Sequence, residues 1–443
     1  MNRMRREAIA RRAVERSRAD QTEVRIGTSD ESLTRFTHGI SNQNVAADDV
    51  TIAVRAIVNG RTGVAAANDS SDASVDALLE RAREMATFAP SDPLVPALPA
   101  GGPTEAPTGC YVEATATCDP GSRAKIADDI LTRVEREHYW CAGYVSTSSS
   151  GTTIANSSGA LASFDGTDAQ VNVKATAPDS TGFAEHHAAD VREIDGSEVG
   201  ARAVELARAS AQPRAVEPGP WTVILEPPAF GELLTYLLGH FSAQSFSDGS
   251  SFCSDGLDRT YFDERVTIAD DYRHPLAPAM PFDYEAQPKS VVALVEAGVV
   301  RNIVTDSYYA NKLGRPNTGH ALPAPNAYGP QPLNVVIAPG TRSAQELIAS
   351  TKRGLLISRF WYIRPVDQKR AIVTGMTRDG TFLIEDGKVT AGVRNLRFNQ
   401  SIVEALGAVE FSSALHRTGA YGSSLVVPVA KMERFTFTST TEF

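Results

Sequence analysis

The sequence is poor in cysteine and has no long apolar run. Its 443 residues contain four cysteines, and none of them forms a Cys-x-x-Cys pair. This spacing argues against a disulfide framework and against a thiolate zinc site, and it fits reduced cytosolic thiols. No apolar stretch approaches the ~20 residues that a membrane span needs, and the first residues lack the apolar segment of a signal peptide. We therefore expect a cytoplasmic protein without a membrane partner.

The sequence also has fewer basic than acidic residues. The chain has 43 lysines and arginines against 53 aspartates and glutamates, which gives a formal net charge of −10. Proteins that bind nucleic acid in general need a basic face, so we expect no nucleic-acid partner.

The common catalytic motifs are missing as well. The eight histidines include no His-Glu-x-x-His or His-Glu-x-x-x-His, which are the strongest sequence signals for a zinc site on a helix. There is no phosphate-binding Gly-x-x-x-x-Gly-Lys loop, no Gly-x-Gly-x-x-Gly and no Gly-x-Ser-x-Gly. Nucleotide-binding and α/β-hydrolase functions therefore lack their usual signals.

One stretch, residues 221–253, organises the rest of the chain. A short apolar run with β-branched members predicts a buried strand that ends at Pro227 and Pro228. An amphipathic helix over about 228–245 should follow, because apolar residues recur at helical spacing. This apolar stripe consists of Phe230, Leu233, Leu234, Leu237, Leu238 and Phe241.

The other face of this helix carries Glu232, Tyr236 and His240. Glu232 and His240 are eight positions apart, roughly 12 Å along a helix axis, so they cannot share one metal ion. We interpret Glu232 as a carboxylate in the first helical turn, stabilised by the helix dipole, and His240 as a hydrogen-bonded core or groove histidine.

The strand, the helix and its Leu-Leu-Gly-His-Phe ending (237–241) resemble the TldD/PmbA family. Further similar stretches lie at 32–44, 313–320, 351–367, 374–389 and 393–401. Catalytic TldD members carry His-Glu-x-x-x-His on this helix. Aligned on the helix ending, the first histidine falls at Gly231, the glutamate at Glu232 and the second histidine at Tyr236. The family's third zinc ligand is a cysteine near the end of the chain, where residues 418–429 here contain no thiol.

This pattern resembles the TldE (PmbA) branch, the non-catalytic partner in a heterodimeric zinc peptidase. The resemblance implies a TldD-like catalytic subunit as partner and an unfolded or leader peptide as substrate. It also implies zinc in the partner but no cofactor or metal in this chain. Glu232 would then be vestigial, on a helix face that also includes Gly231, Tyr236 and His240, and the chain would have no catalytic residue. A homodimer remains possible.

Two other functions stay open. The chain could be a stand-alone peptidase or hydrolase with unorthodox residues, or a protein-binding module, as the old family label "modulator of DNA gyrase" suggests. Arg359 and Arg364 flank an aromatic run; they could hold a peptide carboxylate or a partner's acid, or pair with acids on neighbouring strands.

The predicted fold class is α+β. We expect an N-terminal α/β domain (1–212), a linker (213–220) and a mainly β C-terminal domain (221–443). The resemblance implies that this second domain is β-barrel-like, with the motif helix beside it. Predicted helices cover about 74–88, capped by Ser74, 123–138 and 197–211. Strands are expected at 22–27, 32–36 and 49–69, with an Asn59-Gly60 hairpin, and as short runs between 142 and 192. Two strands and a turn are expected at 291–313, and two hairpin turns, Asp379-Gly380 and Asp386-Gly387, around 381–385.

Overall fold

The structure, a computed structural model, describes residues 1–420 and 423–441. These residues form a mixed α+β fold with three β-sheets, which confirms the predicted fold class. The elements of the first half are α1 (Arg3–Arg16), β1 (Gln21–Thr37), β2 (Ile40–Val58), β3 (Arg61–Ala67), α2 (Asp72–Phe88), α3 (Glu113–Ala116), α4 (Pro120–Glu135), β4 (Trp140–Asn156), β5 (Leu161–Ala177), β6 (Ser180–Ala188) and α5 (Gly196–Ala209).

The six strands of the first half make one antiparallel sheet in the order β3-β2-β1-β4-β5-β6. Helices α1 and α2 pack on it through one apolar cluster, and α4 and α5 through another. Alternating small and β-branched residues give each strand a buried side that these helices cover. Strand β6 lies at the free edge of the sheet, next to the second half of the chain.

The strands of this sheet are longer than predicted. Residues 22–27 and 32–36 belong to the single strand β1, because β2 and β4 pair with it along almost its whole length. The region from 142 to 192 likewise contains three long strands rather than short runs. The Asn59-Gly60 hairpin is confirmed, and both of its residues have positive φ (51° and 69°).

Two helices, α2 and α4, begin earlier than predicted, because their N-cap residues lie before the predicted starts. Helix α2 begins after Ser71 rather than Ser74, because the Ser71 side chain accepts a hydrogen bond from the Ser74 amide at 3.3 Å. Helix α4 begins at Pro120, because Asp119 accepts bonds from the amides of Gly121 (2.7 Å) and Ser122 (3.1 Å). Each cap satisfies amide groups that have no partner within the helix.

The second half adds two sheets. Its elements are β7 (Gly219–Leu225), α6 (Pro227–Leu238), α7 (Ala243–Ser247), β8 (Arg259–Thr260), β9 (Ile268–Asp270), β10 (Val292–Glu296), β11 (Val299–Val300), α8 (Ser307–Leu313), β12 (Asn334–Ile337), α9 (Ala344–Ala349), β13 (Arg353–Ile357), β14 (Phe360–Asp367), β15 (Ile372–Thr377), β16 (Thr381–Glu385), β17 (Lys388–Gly392), β18 (Leu396–Ser401), α10 (Ile402–Ala405), β19 (Val409–Phe411), β20 (His416–Ala420), β21 (Ser423–Val427) and β22 (Ala430–Thr440).

These strands form a seven-stranded sheet, β20-β21-β12-β9-β10-β11-β8, and a nine-stranded sheet, β14-β15-β18-β22-β7-β13-β16-β17 with β19 on β22. Both sheets are open, so the description as barrel-like was loose: the strands between residues 219 and 440 that the structure describes close no barrel. The division of the chain at 213–220 stays a prediction.

Two local predictions in this half were wrong. Residues 307–313 form helix α8 rather than a strand, because Asp306 caps its start (to the Tyr309 amide, 2.8 Å) and Gly314 ends it with φ +60°. Asp386-Gly387 closes a hairpin between β16 and β17, but Asp379-Gly380 does not, because β15 pairs with β18 and β16 pairs with β13.

The motif helix α6 is packed in the core of the second half. All six residues of the apolar stripe are buried, none more than 6% exposed, and their cluster includes side chains from both sheets. The helix ends earlier than predicted, at Leu238; a single 3-10 turn (Gly239–Phe241) and the short α7 follow it. No helix in the described part of the chain is long and apolar enough to span a membrane.

Candidate functional site

Helix α6 starts where strand β7 leaves the nine-stranded sheet. Pro227 and Pro228 occupy its first positions, where a missing amide hydrogen costs nothing. The helix contacts strand β20 at Gly231 and strand β14 at Tyr236. The residues at the start of the helix, Glu226 to Pro228, line a cavity together with residues of β6 and β20.

Gly231 marks a close approach between α6 and β20. A Cβ atom added at this position would lie 2.4 Å from Cγ2 of Thr418, well inside van der Waals contact. Thr418 is itself buried, at 5% exposure. The space into which an imidazole at position 231 would extend is therefore occupied by a strand.

Tyr236 ties the same helix to β14. Its hydroxyl donates a hydrogen bond to the carbonyl oxygen of Ile363 at 2.7 Å. The ring is partly buried against the main apolar cluster. Tyr236 thus has a packing and hydrogen-bonding role at the position where the resemblance places a zinc ligand.

Glu232 lies beyond the first turn of α6. The interpretation that it is stabilised by the helix dipole was wrong, because the effect is confined to the first turn. Burial instead raises the pKa of this carboxyl to about 7, opposed by the positive charge of Arg359 and assisted by the negative charge of Glu185. Glu232 can therefore exchange a proton near neutral pH.

His240 lies in the core, beyond the end of α6. It is 2% exposed, and its Nδ1 accepts a hydrogen bond from the amide of Phe252 at 3.4 Å. Burial lowers its pKa to about 4, so the ring is neutral near pH 7.

These side chains do not fit a zinc ion. A catalytic zinc needs about three protein ligands, and the exposed side of α6 offers one carboxylate. Within residues 1–420 and 423–441, no group of three His, Cys, Asp or Glu side chains is placed to hold a metal ion. The thiol-free segment 418–429 includes residues 421–422, which lie outside the described residues.

A cavity of about 700 Å³ opens between the edge strand β6 and the start of α6. Its lining includes Phe183, Glu185, His187, Ser358, His416 and Thr418. Glu185 lies 3.7 Å from Nε2 of His187 and 3.5 Å from Oγ1 of Thr418. Because Glu185 also raises the pKa of Glu232, the cavity and the polar side of α6 belong to one electrostatic environment.

Beside this cavity, three cations surround one buried carboxylate. Asp379 lies 3.0 Å from Nζ of Lys174, 3.1 Å from Nη1 of Arg359 and 3.9 Å from Nε of Arg378. Both guanidinium groups contact the Trp361 ring, with their Cζ atoms 5.0 and 4.8 Å from its centroid. Arg364, by contrast, donates to the Ile363 carbonyl and packs over Tyr362.

Three family models cover nearly all of the chain. The model of the PmbA/TldA metallopeptidase C-terminal domain matches residues 218–439, and those of domain 1 and the central domain match 22–86 and 68–211. The chain belongs to the PmbA/TldD family.

Members of the PmbA/TldD family with known structures share this fold. TldE from Thermococcus kodakarensis superposes with a TM-score of 0.89 at 20% identity, over 98% of this chain and 100% of that one. A proposed modulator of DNA gyrase from Thermotoga maritima gives a TM-score of 0.87 at 17% identity, with the same coverage. At such identities the likeness establishes the fold alone.

Similarity in sequence is confined to parts of the curated relatives. A zinc metalloprotease TldD homolog of Saccharolobus solfataricus is 25% identical over 210 residues, 44% of each chain. An uncharacterized protein of Methanocaldococcus jannaschii is 32% identical over 130 residues, 29% of this chain and 31% of that one. The matches thus span less than half the length of either relative.

Sequence reasoning placed Gly231, Glu232, Tyr236 and His240 of this PmbA/TldD chain on one helix face. The structure places Gly231 beside β20 and Tyr236 beside β14, but His240 lies beyond the end of α6, in the core. Sequence reasoning missed Glu185, Ser358, His416 and Thr418, which come from three separate segments: β6, the end of β13 and β20. No local pattern marks these four residues, because they meet only through the packing of the first sheet on the second half. Lys174, Arg378 and Asp379 were missed for the same reason, although Arg359 was singled out.

Proposed function

We propose that this chain is the non-catalytic subunit of a TldD/TldE-type heterodimeric zinc metallopeptidase that acts on unfolded or leader peptides. One observation carries the proposal. The helix that bears the zinc ligands in catalytic members keeps its packing here, but its ligand positions are Gly231, pressed against Thr418, and Tyr236, bonded to Ile363. The helix is thus a structural element whose polar side carries one carboxylate and no histidine.

In this proposal the zinc and the catalytic base belong to the partner, a TldD-like subunit. This chain contributes a wall of the peptide cavity, formed by β6, the start of α6 and β20. The site is vestigial: Glu232 is retained, but the donors that would join it around a metal are not. The complex would act in the cytoplasm, on peptides rather than on nucleic acid.

Co-expression with a catalytic paralogue from the same genome tests the proposal. A paralogue with His-Glu-x-x-x-His should co-purify as a complex with this chain, with about one zinc per pair and none in this chain alone. Sizing of the single chain shows whether it also forms a homodimer. The proposal fails if the paralogue does not co-purify with this chain, or if the chain alone binds stoichiometric zinc that is lost when Glu232 is changed.

One observation favours a second candidate, a stand-alone peptidase or hydrolase. Burial raises the pKa of the Glu232 carboxyl to about 7, and such a carboxyl is suited to general acid or base catalysis near neutral pH. In that case the purified chain alone would cleave peptides, and Glu232→Gln would reduce turnover by ~10²-fold or more. A pure protein-binding role is a third possibility, and it would leave both the single chain and the complex without activity.

A further inference from the structure

The cations around Asp379 exceed the anions that neutralise them. Its side chain is 2% exposed and makes ion pairs with Lys174 and Arg359, while Arg378 lies within 3.9 Å. Three positive charges thus share one carboxylate. Among the ion pairs of the described residues, no other acid contacts Lys174, Arg359 or Arg378. The Glu232 carboxyl also lies within electrostatic range of Arg359, and the cluster still carries a net positive charge.

Two of the three cations also contact the ring of Trp361. The Cζ atoms of Arg359 and Arg378 lie 5.0 and 4.8 Å from the centroid of its ring, within the range of a cation–π contact. Trp361 and Arg378 are 40% and 36% exposed, so this stack reaches solvent. A stacked guanidinium keeps its N–H groups free for a planar anion and loses less conformational entropy on binding.

The cluster is continuous with the large cavity. The Cζ atom of Arg359 lies 4.0 Å from the ring centroid of Phe183, which lines the cavity. Ser358, the residue before Arg359, also lines it; this side chain is 4% exposed and its Oγ has no hydrogen-bond partner. A buried hydroxyl without a partner is costly, and the position of Ser358 on the cavity wall lets a polar group in the cavity bond to it.

Charge on the cavity wall narrows the class of ligand. The cavity lining beyond the cluster carries both signs of charge, but Arg202 pairs with Glu226 and Arg417 pairs with Asp168. Glu185 and Glu193 have no such arginine partner on the cavity wall, and they would repel a polyphosphate or nucleic acid in this space. A mainly neutral chain that ends in, or carries, one carboxylate avoids this repulsion and meets the excess positive charge. The volume of about 700 Å³ is large enough for several residues of peptide.

We propose that Arg359, Arg378 and Lys174 bind a carboxylate of a peptide that lies in this cavity. The carboxylate is either the peptide's C-terminus or an acidic side chain. This inference deepens the proposed function, because it gives the non-catalytic subunit a direct contact with the peptide that the complex processes.

Fluorescence anisotropy of the full chain with short labelled peptides tests this site. The probe is an N-terminally fluorescein-labelled peptide of alanine, glycine and serine with a free C-terminus. Two further peptides are compared with it: the same peptide with an amidated C-terminus, and an amidated peptide that contains one internal glutamate. The peptide with the free C-terminus should bind at least about fivefold more tightly than the plain amide, because the amide cannot form a charge-assisted hydrogen bond with the arginines. If an acidic side chain also serves, the glutamate peptide recovers the affinity; if it does not, the site is specific for a C-terminus.

Arg378→Gln should remove the preference for the free acid, and Arg378→Lys should keep most of it. Arg378 is partly exposed, so neither change should unfold the protein. Arg353→Gln is the matched control. Arg353 also stacks on a tryptophan (Trp221, 4.4 Å), but it lies at the end of β13 that is remote from Ser358 and Arg359. Equal binding of the acid and the amide by the wild-type chain, or a preference that survives Arg378→Gln, would overturn the inference. Either result leaves co-purification with a zinc subunit untouched, so failure of this site is distinguishable from failure of the proposed function.

Discussion

At the scale of single residues, the site is defined by what Gly231 and Tyr236 contact. The family resemblance aligns both with metal-ligand positions, but only the structure shows that Thr418 fills the space beside Gly231 and that Tyr236 bonds to Ile363. These partners lie far along the chain, and a helical pattern carries no information about them. Restoring histidines at 231 and 236 would therefore need more than two substitutions.

The contact at Gly231 predicts that the effect of Gly231→Ala on stability depends on the residue at position 418. Gly231→Ala should destabilise the protein by about 1 kcal/mol, because overpacking costs ~1–3 kcal/mol and improved helix propensity returns up to ~1 kcal/mol. In a Thr418→Ser background the nearest remaining Thr418 atom to the new Cβ would be Oγ1, at 3.3 Å. There the same substitution should be neutral or stabilising. Thermal unfolding of the wild type, the two single variants and the double variant measures these effects. A stabilising effect of Gly231→Ala of the same size in both backgrounds would contradict the prediction.

The raised pKa of Glu232 makes stability depend on pH. An acid whose pKa is about 7 in the folded state, against 4.5 ordinarily, binds its proton more tightly when folded. Its contribution is therefore fully present below about pH 4.5 and is lost as the pH rises towards 7. Glu232→Gln cannot titrate, so the variant should gain stability relative to wild type with rising pH, by at most about 3 kcal/mol at pH 8. Denaturant unfolding at pH 5 and pH 8 checks this; a constant difference, or one of opposite sign, would refute it.

At the scale of elements, periodic patterns were more informative than turn residues. The apolar stripe of α6 was predicted in full and is entirely buried, because helix periodicity follows directly from which side faces the core. The end of the helix was misplaced, since the stripe continues through a 3-10 turn without any breaking residue. Asp379-Gly380 has turn dihedrals, yet the strands on either side pair with different neighbours, which a local pattern cannot reveal.

A substitution in the stripe tests the structural role of α6. Leu237→Asp should prevent folding or assembly, because Leu237 is fully buried and an unpaired charge in a core costs several kcal/mol. Thr235→Asp on the partly exposed side of the same helix is the control, and it should leave soluble protein. Yields of soluble chain and of co-purified complex measure the effect. A Leu237→Asp chain that folds and assembles like wild type would contradict the packing described here.

At the scale of the whole molecule, the sequence predicted the class of fold, but not the cavity or the sheet topology. Strand pairing joins segments that are distant in the chain, such as β7 with both β13 and β22. The cavity forms where β6 meets α6 and β20, so its lining depends on the packing of the two halves. Family resemblance supplied the expected architecture, and the three domain matches bear out that membership. The domain limits at 213–220 and the absence of bound zinc remain predictions.

The central claim is that this chain supports peptide cleavage without performing it. The most direct test is the peptidase turnover of the co-expressed complex that carries Glu232→Ala in this chain. We expect turnover within a few-fold of wild type, because a working general base contributes ~10²–10⁴-fold and its loss could not be hidden in that margin. A hundredfold loss of turnover, in a complex that still assembles and whose partner keeps its zinc, would show that Glu232 is catalytic and that the account is wrong.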